Sequence, residues 1–118
     1  MKNNDTFENL TIWQEGIRLV HDSYLLFNQC FDYGFKNQIQ RAVVSIPSNI
    51  AEGYERQTNK EFIQFLFIAK GSCGEYRTQL RIAADLGYVN NSEYQSLHKR
   101  ALDLSAMIQG FINFRRKL

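Results

Sequence analysis

Arg41, Ser45, Asn49 and Glu52 recur at steps of three or four residues. That spacing puts a guanidinium, a hydroxyl, an amide and a carboxylate on one helical face. Two uses are open. The groups can satisfy one another and the helix backbone, or they can form a partner-binding surface. Glu75 and Arg77 could join such a network, because a buried Arg41 needs a carboxylate partner. As an enzyme site, Arg41, Asn49, Glu52 and Glu75 lack a nucleophile and a matched acid–base pair, so no catalysis is expected.

Other reactive side chains point the same way. His21 and His98 lie on different helical segments and belong to no metal motif. An inward Glu-x-x-His repeat would mark a di-iron bundle. Here Glu75 is followed three residues later by Thr78, and His98 is preceded three residues earlier by Gln95. Both histidines read as solvated or capping groups, and no cofactor or metal is expected. Ser72 has no local support as a nucleophile. Gly71-Ser72-Cys73-Gly74 lacks the Gly-Lys-Ser/Thr ending of a phosphate loop. Gly71 and Gly74 read instead as sites of close helix–helix contact. Cys30 and Cys73 read as small core fillers.

Charge is uneven along the chain. Residues 1–59 hold 5 Lys and Arg against 7 Asp and Glu, and residues 60–118 hold 9 against 5. The net charge of +2 is thus the sum of an acidic and a basic half. Lys70, Arg77, Arg81, Lys99, Arg100, Arg115, Arg116 and Lys117 are the candidate phosphate contacts. A solvated face with compensation of a helix dipole is the alternative reading.

Helices must carry these groups. Leu10, Trp13, Ile17, Val20, Tyr24, Phe27 and Phe31 alternate steps of three and four, a helical stripe with a period of about 3.5. It predicts a first helix over about 9–30. Ile39, Val43, Ile46, Ile50 and Tyr54 predict a second over 36–56. Pro47 lies inside it, so a kink is expected there, or a break into two helices at Ser45. Ser45 and Ser48 are candidates to bond the freed carbonyls. Thr58 and Glu61 form a capping-box pattern that opens a third helix over 59–86. Its stripe is Phe62, Leu66, Ala69, Cys73, Tyr76, Leu80, Ala83 and then Leu86 or Gly87. Ser92 and Gln95 predict the start of a fourth helix over 92–116, with Tyr94, Leu97, Ala101, Leu104, Ile108, Phe111 and Leu118 as its stripe. The connections are short, which favours antiparallel neighbours. The expected fold is all-α: one domain, an antiparallel up-down-up-down four-helix bundle, with helix two kinked at Pro47.

Phe62, Ile63, Phe65, Leu66, Phe67 and Ile68 cover nearly the whole circumference of helix three. A bundle buries a stripe only somewhat over about 100° wide. Phe62, Ile63, Phe65 and Phe67 are therefore candidates for an oligomer interface.

The class follows from composition. The chain has 118 residues, 44% of them hydrophobic and 14% aromatic, which suits one globular domain and not a disordered chain. Two cysteines make neither a disulfide framework nor a four-ligand zinc site. No apolar run nears the roughly 18 residues of a membrane span. The N-terminus reads as no signal peptide, and a cytoplasmic location is expected.

The run Arg41-Ala42-Val43-Val44-Ser45-Ile46-Pro47-Ser48-Asn49-Ile50-Ala51-Glu52-Gly53 resembles the central motif of the bacterial proteins encoded in intervening sequences of 23S ribosomal RNA genes. These are also labelled a ribosomal-protein family. Leu10, Trp13, Glu61-Phe62-Ile63-Gln64-Phe65-Leu66, Ile68-Ala69-Lys70-Gly71-Ser72, Glu75 and Ala84-Asp85-Leu86-Gly87-Tyr88 extend the likeness. The family motif falls on Arg41, Ser45, Pro47, Asn49, Ala51, Glu52, Gly53, Ser72 and Glu75. The resemblance implies a four-helix bundle, a homopentamer and association with RNA or a nucleic-acid-processing protein. It also implies similarity to the accessory variability determinant of diversity-generating retroelements, whose strong positive charge this chain lacks. The alternative is a purely structural oligomer that recruits a protein partner.

Overall fold

The computed structural model describes residues 6–118. After a short 3-10 turn at Phe7–Asn9, the chain forms α1 (Thr11–Phe27), α2 (Tyr33–Tyr54), α3 (Asn59–Asp85) and α4 (Asn91–Arg116). No strand occurs among the described residues. The fold is an all-α bundle.

Local chemistry sets most boundaries. The Asp32 carboxylate accepts from the Phe35 N–H at 3.1 Å and starts α2. Thr58 Oγ1 accepts from the Glu61 N–H at 3.1 Å and starts α3. Its hydroxyl also donates to the Glu61 carboxylate at 3.0 Å. Gly87, at φ +79°, ends α3 in a conformation that disfavours a side chain. The Tyr88 N–H then reaches back to the Ala83 carbonyl at 2.8 Å.

Boundaries of α1, α2 and α4 differ from expectation, and α2 begins at Tyr33, three residues early, where Asp32 caps it. α1 stops at Phe27, where Lys36 Nζ donates to the Asn28 carbonyl at 3.0 Å. The cap of α4 lies two residues before the expected Ser92. Asn90 and Glu93 form the capping box, with bonds of 2.8 and 2.9 Å. Val89 is buried just after the turn, so the chain is anchored early and the first available acceptor caps the helix.

α2 lies between α1 and α3, and α4 closes the bundle against α3 and α1. The end of α2 meets the start of α3 where Gly53 approaches Phe65. The start of α3 meets the end of α4 where Asn59 Nδ2 donates to the Arg115 carbonyl at 2.9 Å. The early part of α1 meets the late part of α2 where Gly16 faces Pro47. The result measures 47 × 22 × 20 Å.

The core stripes of α2, α3 and α4 largely follow the periodicity. Ile39, Val43, Ile46, Ile50, Leu66, Cys73, Tyr76, Leu80, Ala101 and Ile108 are fully buried. Each large apolar group removed from water contributes roughly 1.5–3 kcal/mol. Leu86 and Leu118, at the ends of their stripes, are exposed. Ile112, not Phe111, completes the buried stripe of α4.

α1 is turned by one residue relative to the predicted stripe. Ile12, Gly16, Leu19, Ser23 and Phe27 face inward. Trp13, Ile17 and Val20 are half-buried at the flank, and Tyr24 and Phe31 are exposed. The cause is the close approach of α1 to α2. A Cβ on Gly16 would lie 3.3 Å from two carbons of the Pro47 ring. A small residue suits this tight contact, and the bulky stripe lies to its flank.

α2 runs as one helix through Pro47, so there is no break at Ser45. The serines do not serve the freed carbonyls as expected. Ser45 Oγ bonds Ser72 Oγ across α2 and α3, and Ser48 is exposed. Asn49 Nδ2 donates to the Ser45 carbonyl at 2.8 Å, which is not the Val43 carbonyl that Pro47 leaves without its helical donor.

Candidate nucleic-acid interface

The motif on α2 divides into a packing set and a surface set. Pro47 is buried on Gly16. Gly53 is buried against Phe62 and Phe65. Ser45 and Ser72 join α2 to α3, and Ser72 Oγ also donates to the Ile68 carbonyl at 3.1 Å. These residues hold α2 tightly between its neighbours. Arg41, Glu52 and Glu75 are exposed. Glu52 pairs with Arg56 at 3.0 Å, one turn along its own helix. Arg41 is not buried, so it needs no carboxylate, and it forms no ion pair among the described residues. The expected network of Arg41 with Glu75 and Arg77 is therefore absent. Arg41, Asn49, Glu52 and Glu75 do not converge on a common point. Among the described residues, no three His, Cys, Asp or Glu side chains gather in a metal-holding group.

The interface residues proposed on α3 are partly committed to the chain's own core. Phe62 is buried in contact with the rings of Tyr54 and Phe111. Arg115 covers its outer face at 5.1 Å. Ile63 and Phe65 are half-buried, and Arg56 lies 4.8 Å over the Phe65 ring. Phe67 and Ile68 keep substantial exposure. The apparent surplus is reduced because α4 and the α2 end cover positions that a stripe count leaves open.

The basic residues separate into distinct groups. Arg100 pairs with Asp22 of α1 at 2.7 Å. Lys99 pairs with Asp103 at 2.9 Å on the exposed face of α4, which raises the lysine's affinity for its proton. Arg115 donates to Asn59 Oδ1 at 2.7 Å. Lys117 follows the last residue of α4.

Lys70, Arg77, Arg81 and Arg116 follow the seam between α3 and α4. Arg77 and Arg81 line a cleft of about 410 Å³ with Gly74, Thr78, Ile82, Tyr94 and His98. Farther along, Lys70 Nζ donates to Gln109 Oε1 at 2.6 Å, and Gln109 Nε2 to Asn113 Oδ1 at 3.0 Å. At the far end the Arg116 guanidinium lies 5.2 Å over the Phe67 ring. Phe67, Lys70, Gly74, Arg77 and Arg81 step by three and four along α3, so one face presents them all. From Phe67 to Arg81 the helix advances about 21 Å. None of the groove residues just named is a carboxylate. Asp85 lies one turn beyond, and its hydrogen bond at 3.0 Å favours the charged form of Arg81. That pair is exposed, so the bond is weak and open to competition from an anion. Among the described residues Arg77 forms no ion pair, and its Nε donates to the Cys73 carbonyl at 3.4 Å.

Gly74 belongs to this groove and not to a helix contact. A Cβ there would meet only the Arg77 side chain, at 3.7 Å, and a Cβ on Gly71 would meet nothing within 4 Å. Tyr94 and His98 are the residues that sequence reasoning missed. Their rings face each other at 5.2 Å and 40°, inside the cleft. Their spacing of four on α4 was legible, but its meaning depended on which helix lay opposite. His21, by contrast, is exposed on α1.

The fold and groove together define an all-α bundle with a cationic seam on one side. Residues 8–110 match the 23S rRNA-intervening sequence protein family, and the chain belongs to that family. Its fold is similar to a crystal structure of a protein of unknown function from the S23 ribosomal protein family of Bacteroides thetaiotaomicron VPI-5482. The TM-score is 0.77 at 23% identity, over 86% of this chain and 98% of that one. No curated protein matches the chain. No helix among the described residues is long and apolar enough to cross a membrane.

Proposed function

We propose that this protein is a non-catalytic, self-associating helical bundle that associates with RNA through the α3/α4 groove. The observation that carries the reading is the file of Lys70, Arg77, Arg81 and Arg116, with Phe67, Tyr94 and His98 beside them and Asp85, paired with Arg81, bordering one end. Cations near phosphates release counterions, and aromatic rings beside them suit bases. The net charge of +2 is no obstacle, because a phosphate chain meets the local face and not the total. Exposed Ile68 and Leu102, outside the groove residues named above, support self-association. The fivefold assembly implied by the family resemblance has a mass near five times 13.8 kDa, which light scattering reads directly.

Fluorescence anisotropy with a labelled RNA tests the binding. Affinity rises as salt falls, with a slope of about −0.7 per phosphate neutralised. Replacing Lys70, Arg77 and Arg81 together by alanine removes most of it, whereas Lys99→Ala leaves it intact. Absence of binding at low ionic strength overturns the reading. One observation favours the scaffolding alternative. Leu25, Phe31, Tyr33 and Leu86 are strongly exposed near the connections at one end of the bundle. A protein partner retained after RNase treatment would support that role.

A further inference from the structure

We infer that the α3/α4 groove takes a single RNA strand and seats one unpaired base against the Tyr94–His98 ring pair. This rests on the RNA-binding reading above and specifies the form of nucleic acid. The cations form one file, Arg81, Arg77, Lys70 and Arg116, along the seam of two packed helices. One file tracks one backbone. The paired strands of a duplex present two phosphate rows, across a groove whose recognition relies on shape and 2′-hydroxyls.

The ring pair supplies the second argument. Tyr94 and His98 are half-buried, 5.2 Å apart, with Ile82 on the opposing wall of the cleft. Ile82 is 42% exposed, so it offers a reachable apolar contact on a wall that also carries Arg77, Thr78 and Arg81. A half-sheltered site between a tilted aromatic pair and an aliphatic side chain receives a base face on one of the rings. Bases inside a duplex already stack on each other and cannot enter. Arg77 lies beside the rings with no carboxylate partner, positioned to take the phosphate next to the seated base. A Cβ on Gly74 would meet only the movable Arg77 side chain, at 3.7 Å, so a backbone can approach the helix closely there.

The test compares a labelled single-stranded RNA of about ten nucleotides with a blunt duplex of the same sequence. Wild type binds the single strand at least about fivefold more tightly. His98→Ala and Tyr94→Leu weaken single-strand binding by at least about fivefold each and leave the salt slope unchanged. Tyr94→Phe keeps the affinity, since stacking needs the ring and not the hydroxyl, and it guards against a merely unfolded Tyr94→Leu. Arg77→Ala lowers the salt slope by about one unit. Equal affinity for the duplex, or unchanged single-strand affinity in His98→Ala and a folded Tyr94→Leu, overturns this inference while leaving RNA binding in place. Failure of both RNAs to bind at low salt overturns the RNA-binding reading, and this inference falls with it.

Discussion

Gly53→Ala is the sharpest test of how α2 is held. A Cβ at this position would lie 2.6 Å from Phe65 Cβ, 3.0 Å from Phe62 Cδ1 and 3.3 Å from the Phe62 carbonyl oxygen. The first and last of these cannot swing aside, because one sits at the root of its side chain and the other is backbone. Forcing a methyl into such a site costs typically about 1–3 kcal/mol, and the fixed neighbours place it at the upper end. Alanine recovers up to about 1 kcal/mol of helix propensity. The net expectation is a loss of about 2 kcal/mol. Unfolding entropy of about 2.1 cal/mol/K per residue gives about 0.25 kcal/mol/K for this chain. The melting temperature then falls by about 8 °C. Gly71→Ala is the matched control, because it is exposed in the interior of α3 and a Cβ there meets nothing within 4 Å. It gains about 0.5–1 kcal/mol, or roughly 2–4 °C. Circular dichroism melts at one fixed protein concentration read both. If Gly53→Ala melts at or above wild type, the close packing of α2 on α3 is not what requires glycine.

Three further outcomes follow from the same packing. Asn90→Ala loses about 1 kcal/mol in urea unfolding and Ser92→Ala almost none, because Asn90 holds the capping box. Burial pushes the Cys73 thiol up to about 11, so a thiol reagent at pH 8 modifies only half-buried Cys30 until denaturant is added. Burial likewise pushes Tyr76 up to about 12, against an opposing effect of Ser23. Both groups ionise earlier in the unfolded chain, from 9.0 and 10.0, so the unfolded state holds fewer protons there. Stability is full below about pH 9 and falls as pH rises towards 12, by on the order of 2 kcal/mol for each group. Tyr76→Phe removes the tyrosine share of that loss. It also changes stability at pH 7 little, since among the described residues the buried hydroxyl makes no well-formed hydrogen bond and, of hydrogen-bonding side chains, only Ser23 lies near enough to influence it. A flat alkaline profile in wild type would count against the buried placement.

Much of the bundle was readable from one-dimensional spacing. The stripes Ile39–Val43–Ile46–Ile50 and Leu66–Ala69–Cys73–Tyr76–Leu80 are buried as their periods require. Thr58 with Glu61 starts α3, and Gly87 ends it. Such signals are local, because a cap, a positive φ and a helical period are properties of a few consecutive residues. The candidate groove was half legible. Lys70, Arg77 and Arg81 share a face of α3 by spacing alone. The chain order could not show that Arg116 reaches Phe67, that Gln109 meets Lys70, or that Tyr94 and His98 form the opposite wall.

The sequence by itself determined that this chain is four helices, where most of them begin and end, and which motif marks its family. Tertiary structure decided which of two adjacent apolar stripes on α1 turns inward, which glycines are contacts, and which cations share a surface. A residue type fixes what a group can do, but its role depends on the neighbour it meets. Gly16 and Gly53 meet Pro47, Phe62 and Phe65, whereas Gly71 meets nothing. Arg100 meets Asp22 and is paired, whereas Arg77 faces an open groove of rings and cations.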